Sequence, residues 1–221
     1  HIGMKLELID LYINTSFQDS SGVSAIAVVD DPAIQKPFTA FASQAPKKYK
    51  IALGSGKGNY KPMEGSQQTL AGPLMIPDME IYRKEPLEDG TFKEFNVRFT
   101  AQSIKDIQQK FALSNRNTSI NEMHNSAMPI NGGLIQHFII DRKAGINPPF
   151  GEDIPDGSWY GYIKILDVNT WNNFVKTGIY TGFSVEGEFY EQPITNQTNN
   201  EELASVEDFM EWLKKSGHEI I

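Results

Sequence analysis

Alternation of apolar and polar residues with a period of two is the feature of this sequence that most limits its fold. Phe95, Val97 and Phe99 alternate with polar residues, and similar alternation runs through 134–141 and 159–165. Successive side chains of a β-strand point to opposite faces, so this period predicts strands with one buried face. Seven further strands are predicted over 4–13, 24–29, 49–53, 68–76, 79–83, 118–124 and 179–190.

Helical spacing of apolar residues is confined to three short stretches. They are residues 101–112, 169–177 and 205–216. Thr100 or Ser103 is expected to cap the first helix, Asn169 the second and Ser205 the third, because these side chains accept hydrogen bonds from free helical amides.

The balance of strands over helices predicts a mainly β fold, mostly antiparallel, for which a barrel is one arrangement. We predict one β domain over residues 4–191. The polar stretch 192–204 is typical of a linker, and the amphipathic helix within 205–217 would then be an appendage that docks on the domain or on a partner.

Composition excludes several function classes. A net charge of −8 argues against a nucleic-acid partner, and no apolar run is long enough to span a bilayer. The chain has no cysteine, which removes disulfides, thiolate metal sites and cysteine nucleophiles. His124, His137 and His218 stand in three separate segments without a zinc-binding pattern, so we expect neither metal nor cofactor.

Ser184 and Glu186 share one face of the predicted strand 179–190, opposite an apolar face. Such a serine is by itself typical of an ordinary strand. Gly182 and Gly187 flank the pair, however, and glycine allows a ligand or another backbone to approach a strand closely, although it also fits a bulge or bend.

His124 ends the predicted strand 118–124. A lone strand histidine usually makes a structural hydrogen bond, and His137 has the same ordinary interpretation. A serine hydroxyl, on the other hand, needs a base within hydrogen-bond reach before it can attack a carbonyl, and histidine titrates in the right pH range. Ser184 and His124 are therefore a candidate nucleophile and base if the fold brings them together.

Several short blocks occur in an order that resembles a known family. They read AVVDDPAI at 27–34, AGPLMIPD at 71–78, IYR at 81–83, HN at 124–125, GSW at 157–159, YIKI at 162–165 and GFSVEG at 182–187. In this respect the chain resembles the phage prohead (capsid maturation) serine proteases of the XkdF-like family, which are related in fold to the herpesvirus assembly proteases.

The resemblance implies a β-barrel of the herpesvirus-protease type with peripheral helices. It implies a serine endopeptidase that cleaves scaffold and major capsid proteins during prohead maturation, with Ser184 as nucleophile and His124 as general base. A viral or prophage-encoded protein acting in the host cytoplasm and the prohead interior is expected, and herpesvirus-type relatives suggest a homodimer.

The third catalytic residue stays open at this point. Asp141 lies on the strand after His124, and Glu186 shares a face with Ser184; the two rank equally, ahead of His218. The alternative function is a non-catalytic capsid-assembly or scaffold protein that keeps the protease-like barrel. An esterase is disfavoured, because Gly-Phe-Ser-Val-Glu at 182–186 does not match the nucleophile elbow Gly-x-Ser-x-Gly.

Overall fold

The computed structural model describes residues 6–30, 39–41, 48–54, 61–62 and 68–192, with backbone only for the three short middle ranges. Almost all of the predicted linker, the helix predicted over 205–216 and His218 lie outside these residues. The predicted domain boundaries therefore stay predictions.

The described residues form strands over most of the positions that the alternation predicts. In chain order they are β1 Glu7–Tyr12, β2 Gly22–Val29, β3 Thr39–Phe41, β4 Lys48–Gly54, β5 Lys61–Pro62, β6 Thr69–Met75, β7 Ile81–Pro86, β8 Phe92–Phe99, β9 Ile120–Glu122, β10 Asn125–Pro129, β11 Gly132–Ile139, β12 Trp159–Ile165 and β13 Gly182–Gln192.

These strands pair into two sheets. The larger sheet has the order β10-β9-β2-β13-β1-β8-β7. In addition, β4 pairs with β13 and β3 pairs with β4. The smaller sheet has the order β11-β12-β6-β5. All pairs are antiparallel except β1 with β8 and β2 with β9, which are parallel. The predicted mainly β fold is confirmed, whereas the pairing among the described strands does not close either sheet into a barrel.

One apolar core joins the two sheets. Val28 and Phe183 contribute from the larger sheet, Leu70 and Trp159 from the smaller, and Phe111 from the first helix. Because all five are at most 1% exposed, neither sheet buries its inner face without the other.

The first helix matches its prediction. Helix α1 spans Ala101–Leu113, and the Thr100 side chain accepts a hydrogen bond from Ser103 N. Thr100 is one of the two caps predicted. The helix could be predicted because a capping residue stands directly before apolar residues at helical spacing.

The second helix begins differently from its prediction. Helix α2 covers Val168–Thr170 and continues as a π-helical turn over Trp171–Val175. Asp167, not Asn169, is the cap, because its side chain accepts from the amides of Asn169 and Thr170. Both residue types cap well, so the sequence did not distinguish the earlier position from the later one.

Candidate active site

Ser184 lies near the centre of the larger sheet. Its strand β13 pairs there with β2 on one side and β4 on the other, and the residues opposite Ser184 are Ala27 and Gly54. The serine is therefore flanked on the two neighbouring strands by the smallest residue types, alanine and glycine. Ser184 is 0% exposed, and within the described part of the chain its hydroxyl finds no hydrogen-bond partner.

His124 lies in the two-residue turn of the β9–β10 hairpin. Glu122 pairs with Asn125, and between them Met123 and His124 have φ values of 51° and 58°. Positive φ at both central residues is the pattern of a type I′ hairpin turn, which normally uses Asn-Gly. Positive φ is uncommon for residues other than glycine, although His adopts it more often than Met does, so the turn holds the imidazole at a cost in backbone energy.

A carboxylate faces the imidazole of His124 and is itself held by a side-chain amide. Nδ1 of His124 lies 3.3 Å from Oε1 of Glu186. The same oxygen accepts a hydrogen bond of 2.7 Å from the Asn121 side-chain nitrogen. The His124–Glu186 separation is slightly longer than an ordinary N–H···O hydrogen bond.

A bulge beside Glu186 helps to aim its side chain. The register between β13 and β2 shifts between Glu186 and Gly187, which leaves Ser24 of β2 as the extra residue. A Cβ at Gly187 would lie 2.3 Å from the Gly22 carbonyl oxygen, so only glycine fits this close approach. Bulges bend and twist the sheet locally and redirect side chains. Of the two interpretations of Gly187, the bulge is the one that this geometry supports.

The sheet register relates Ser184 to the other polar groups. Ser184 pairs with Ala27, and Ala27 pairs with Asn121 on the other side of β2. Ser184 and Asn121 are thus level with each other, two strand spacings or about 10 Å apart along the sheet. Glu186 is two residues from Ser184 and shares its face. The structure therefore brings Ser184, His124, Glu186 and Asn121 to one face of the larger sheet.

Asp141 does not lie on this face of the larger sheet. It follows β11, an outer strand of the smaller sheet, and its side chain accepts from Ala144 N as the cap of a short 3-10 turn. It is exposed to solvent. A carboxylate engaged in capping its own turn in the other sheet is poorly suited to serve His124.

His137 makes structural contacts. The indole N–H of Trp159 points at its Nδ1 over 3.3 Å, and Gln108 Nε2 lies 2.9 Å from the same nitrogen. An indole N–H can only donate, so Nδ1 accepts and the ring is neutral. Partial burial lowers the pKa of His137, in keeping with a neutral ring.

A second carboxylate lies directly before the His124 turn. Glu122 is 8% exposed and accepts hydrogen bonds from Thr170 Oγ1 at 3.1 Å and Tyr180 Oη at 2.6 Å. Both hydroxyl residues are buried. We call Glu122, Thr170 and Tyr180 the Glu122 cluster.

Asn121 and the Glu122 cluster were missed by sequence analysis. Asn121 and Glu122 are adjacent polar residues that follow the apolar Ile120 in a short strand, and all three prove to be buried. Two polar residues in succession place one on each face of the sheet. This pair of polar residues was the only sequence feature that pointed to buried polar contacts. The contacts themselves could not be predicted, because the partners of these side chains are distant in sequence.

The described residues contain no group of three His, Cys, Asp or Glu side chains that could hold a metal ion. In the same part of the chain, no helix combines the length and the apolar character that crossing a bilayer requires.

A mainly β protein with a serine, a histidine and a carboxylate on one sheet face has the residue types that serine hydrolases use. Residues 63–191, more than half of the chain, match the family described as "Putative phage serine protease XkdF", and the chain belongs to this family. The family's description indicates a viral or prophage origin and a protease role. No curated protein and no solved structure matches the chain.

Proposed function

We propose that this protein is a serine endopeptidase that processes scaffold and major capsid proteins during prohead maturation. Ser184 is the nucleophile, His124 the general base and Glu186 the third member of the triad. The observation that carries the proposal is the 3.3 Å contact between His124 Nδ1 and Glu186 Oε1, on the face that Ser184 occupies.

In this mechanism Nδ1 of His124 faces Glu186, which leaves Nε2 to take the Ser184 proton. The serine oxygen attacks the scissile carbonyl carbon, and the protonated imidazole returns the proton to the leaving amine. Water then hydrolyses the acyl-enzyme with the same base. Glu186 holds the imidazole orientation and stabilises the imidazolium, and Asn121 in turn orients Glu186 through its 2.7 Å hydrogen bond.

The surroundings of Ser184 bear on how a peptide would bind. Ala27 and Gly54 oppose Ser184 on the neighbouring strands, so little side-chain bulk flanks the hydroxyl. An extended substrate backbone could therefore approach closely. Ser184 is 0% exposed, so its hydroxyl must become accessible before a substrate can react with it.

Further parts of the proposal rest on the family alone. We also propose that the protein acts inside the phage prohead in the host cytoplasm, forms a homodimer and adopts a barrel of the herpesvirus-protease type. The phage family supports the setting, and the mainly β architecture is compatible with the fold relation.

The test compares two buried serines. The wild-type protein, Ser184→Ala and Ser158→Ala are incubated with the scaffold protein of the same phage, and fragments are measured by intact mass. Ser158 is the matched control, because it too is 0% exposed with a hydroxyl that lacks a partner in the described region. We expect cleavage by wild type and Ser158→Ala, and none by Ser184→Ala. Equal cleavage by all three would overturn the assignment.

Complete burial of Ser184 favours a second candidate, a non-catalytic capsid-assembly protein that keeps the protease-like sheets. This candidate predicts that none of the three proteins cleaves scaffold. It also predicts that Ser184→Ala binds scaffold as well as the wild type does. Cleavage that depends on Ser184 excludes it.

A further inference from the structure

We propose that Glu122 is a positioning residue for His124. In this proposal the Glu122 cluster fixes the strained His124 turn against the segment that leads into the Ser184 strand. The inference rests on the proposed function, and it adds residues that neither the triad nor its Asn121 support includes.

Burial of the Glu122 carboxylate costs free energy, which indicates that the residue has a role. A carboxylate that leaves water loses much of its solvation, and two neutral hydroxyl donors offset this less well than a cation would. Glu122 nevertheless lies 8% exposed with Thr170 at 5% and Tyr180 at 6%. Burial and the hydrogen bond to Glu122 raise the pKa of the Tyr180 phenol, which therefore remains a donor at neutral pH.

The location of Glu122 is specific to the turn. It is the residue before Met123 and His124, whose φ values of 51° and 58° lie in a region that residues other than glycine uncommonly adopt. Strained backbone persists where surrounding contacts hold it. Met123 N donates to Val28 O over 3.1 Å on one side, and the Glu122 side chain is fixed on the other.

The cluster also joins the two halves of the proposed site. Tyr180 precedes β13 and stands four residues before Ser184, and Thr170 ends α2. Asn121 bonds Glu186 on the Ser184 face, and the neighbouring Glu122 points to the opposite, core-facing side. Adjacent residues of β9 therefore hold the site from both faces of the sheet.

The test uses two tyrosine–glutamate pairs. Glu122→Gln and Tyr180→Phe perturb the cluster. Glu152→Gln and Tyr160→Phe perturb a matched pair in the smaller sheet, in which Tyr160 Oη of β12 donates to Glu152 Oε2, between β11 and β12, over 2.9 Å. We expect the cluster variants to lower kcat for scaffold cleavage by about 10- to 100-fold, as misplacement of a catalytic group does, with KM within about twofold. The control variants should keep the wild-type kcat.

Two further readouts separate positioning from general stability. Because the residues act as one unit, the kcat of the double variant Glu122→Gln/Tyr180→Phe should be no lower than that of the more impaired single variant. The Met123 amide should exchange its hydrogen faster in each cluster variant than in the wild type. Should Glu122→Gln fail to fold, Tyr180→Phe decides, since it removes a single oxygen.

The outcomes distinguish this inference from the proposed function. A wild-type protein that does not cleave refutes the protease, and the exchange of the Met123 amide then still shows whether Glu122 fixes the turn. Wild-type kcat in a folded cluster variant, or unchanged exchange at Met123, overturns the positioning role. A kcat loss of equal size in the Tyr160 and Glu152 controls also overturns it.

Discussion

At the residue scale, the contacts of the two carboxylates distinguish them, although the sequence ranked them equally. Glu186 lies 3.3 Å from His124 Nδ1, whereas Asp141 caps its own turn in the smaller sheet. Alternation in β13 predicted that Glu186 shares a face with Ser184. The approach of His124 to Glu186 was not predictable, because it depends on a hairpin turn and on pairing between strands far apart in sequence.

Exchanging each carboxylate for its amide tests this distinction. We expect Glu186→Gln to lower kcat/KM for scaffold cleavage by about 10³- to 10⁴-fold, because an amide no longer stabilises the imidazolium. Asp141→Asn should retain wild-type kcat/KM, since asparagine also caps helical turns. The reverse ranking in steady-state kinetics would make Asp141 the third member instead.

His137 gives a prediction about stability and pH. Its pKa is lowered in the folded protein by partial burial, so the unfolded chain binds more protons as pH falls through about 6.5. The contribution of His137 to the free energy of unfolding should therefore decrease from pH 7.5 to pH 5.5.

Urea unfolding at both pH values measures this contribution, with His137→Gln as the comparison. The variant should show a smaller decrease between pH 7.5 and pH 5.5 than the wild type does. Because the neutral His137 ring accepts from Trp159, the variant should also start from a lower stability at pH 7.5. Identical pH dependence in the two proteins would contradict the assigned burial effect.

At the scale of elements, the β9–β10 hairpin and the β13 bulge shape the site. The sequence predicted one strand over 118–124, but β9 ends at Glu122 because the chain turns at Met123. Met-His lacks the Asn-Gly signature of such turns, so the period alone could not locate it. Gly187, in contrast, could be singled out from the sequence, although a close ligand approach and a bulge or bend both fit a glycine there.

Substitution of Gly187 tests the bulge. In Gly187→Ala the new Cβ would lie 2.3 Å from the Gly22 carbonyl oxygen, so the two strands must separate. We expect the free energy of unfolding to fall by about 2 kcal/mol or more, within the range of overpacking. Catalytic activity should fall as well, because Glu186 is next to the bulge.

Gly133→Ala in β11 is the control for this substitution. Its Cβ would come no closer than 3.4 Å to the nearest atom, Asn117 O, so the strand can accept it. Urea midpoints should therefore separate the two variants clearly. A Gly187→Ala protein as stable as Gly133→Ala would show that the close approach at the bulge is not required.

At the scale of the whole molecule, the two sheets depend on one shared core. Phe111 of α1 contacts Trp159 of the smaller sheet edge to face, with ring centroids 5.2 Å apart, and packs in the core that Phe183 of β13 also joins. Apolar periodicity identified α1 and the strands other than β3, β5 and β10. It could not identify which strands pair, because pairing is decided by contacts remote in sequence.

Truncation of Phe111 tests the shared core. Phe111 is 1% exposed, so Phe111→Ala should lower the free energy of unfolding by about 3–5 kcal/mol. Leu113→Ala on the same helix is the control; Leu113 is 68% exposed and should change stability by about 0.5 kcal/mol or less. Similar urea midpoints for the two variants would mean that α1 does not hold the sheets together.

The most direct measurement of the central claim is covalent labelling of the native protein with a fluorophosphonate, followed by peptide mapping. An activated serine reacts with this reagent, and unactivated serines do not. We expect a single adduct on Ser184 that is retained in Ser158→Ala and lost in His124→Asn. Absence of an adduct on Ser184, or equal labelling of Ser184 in His124→Asn, would contradict it.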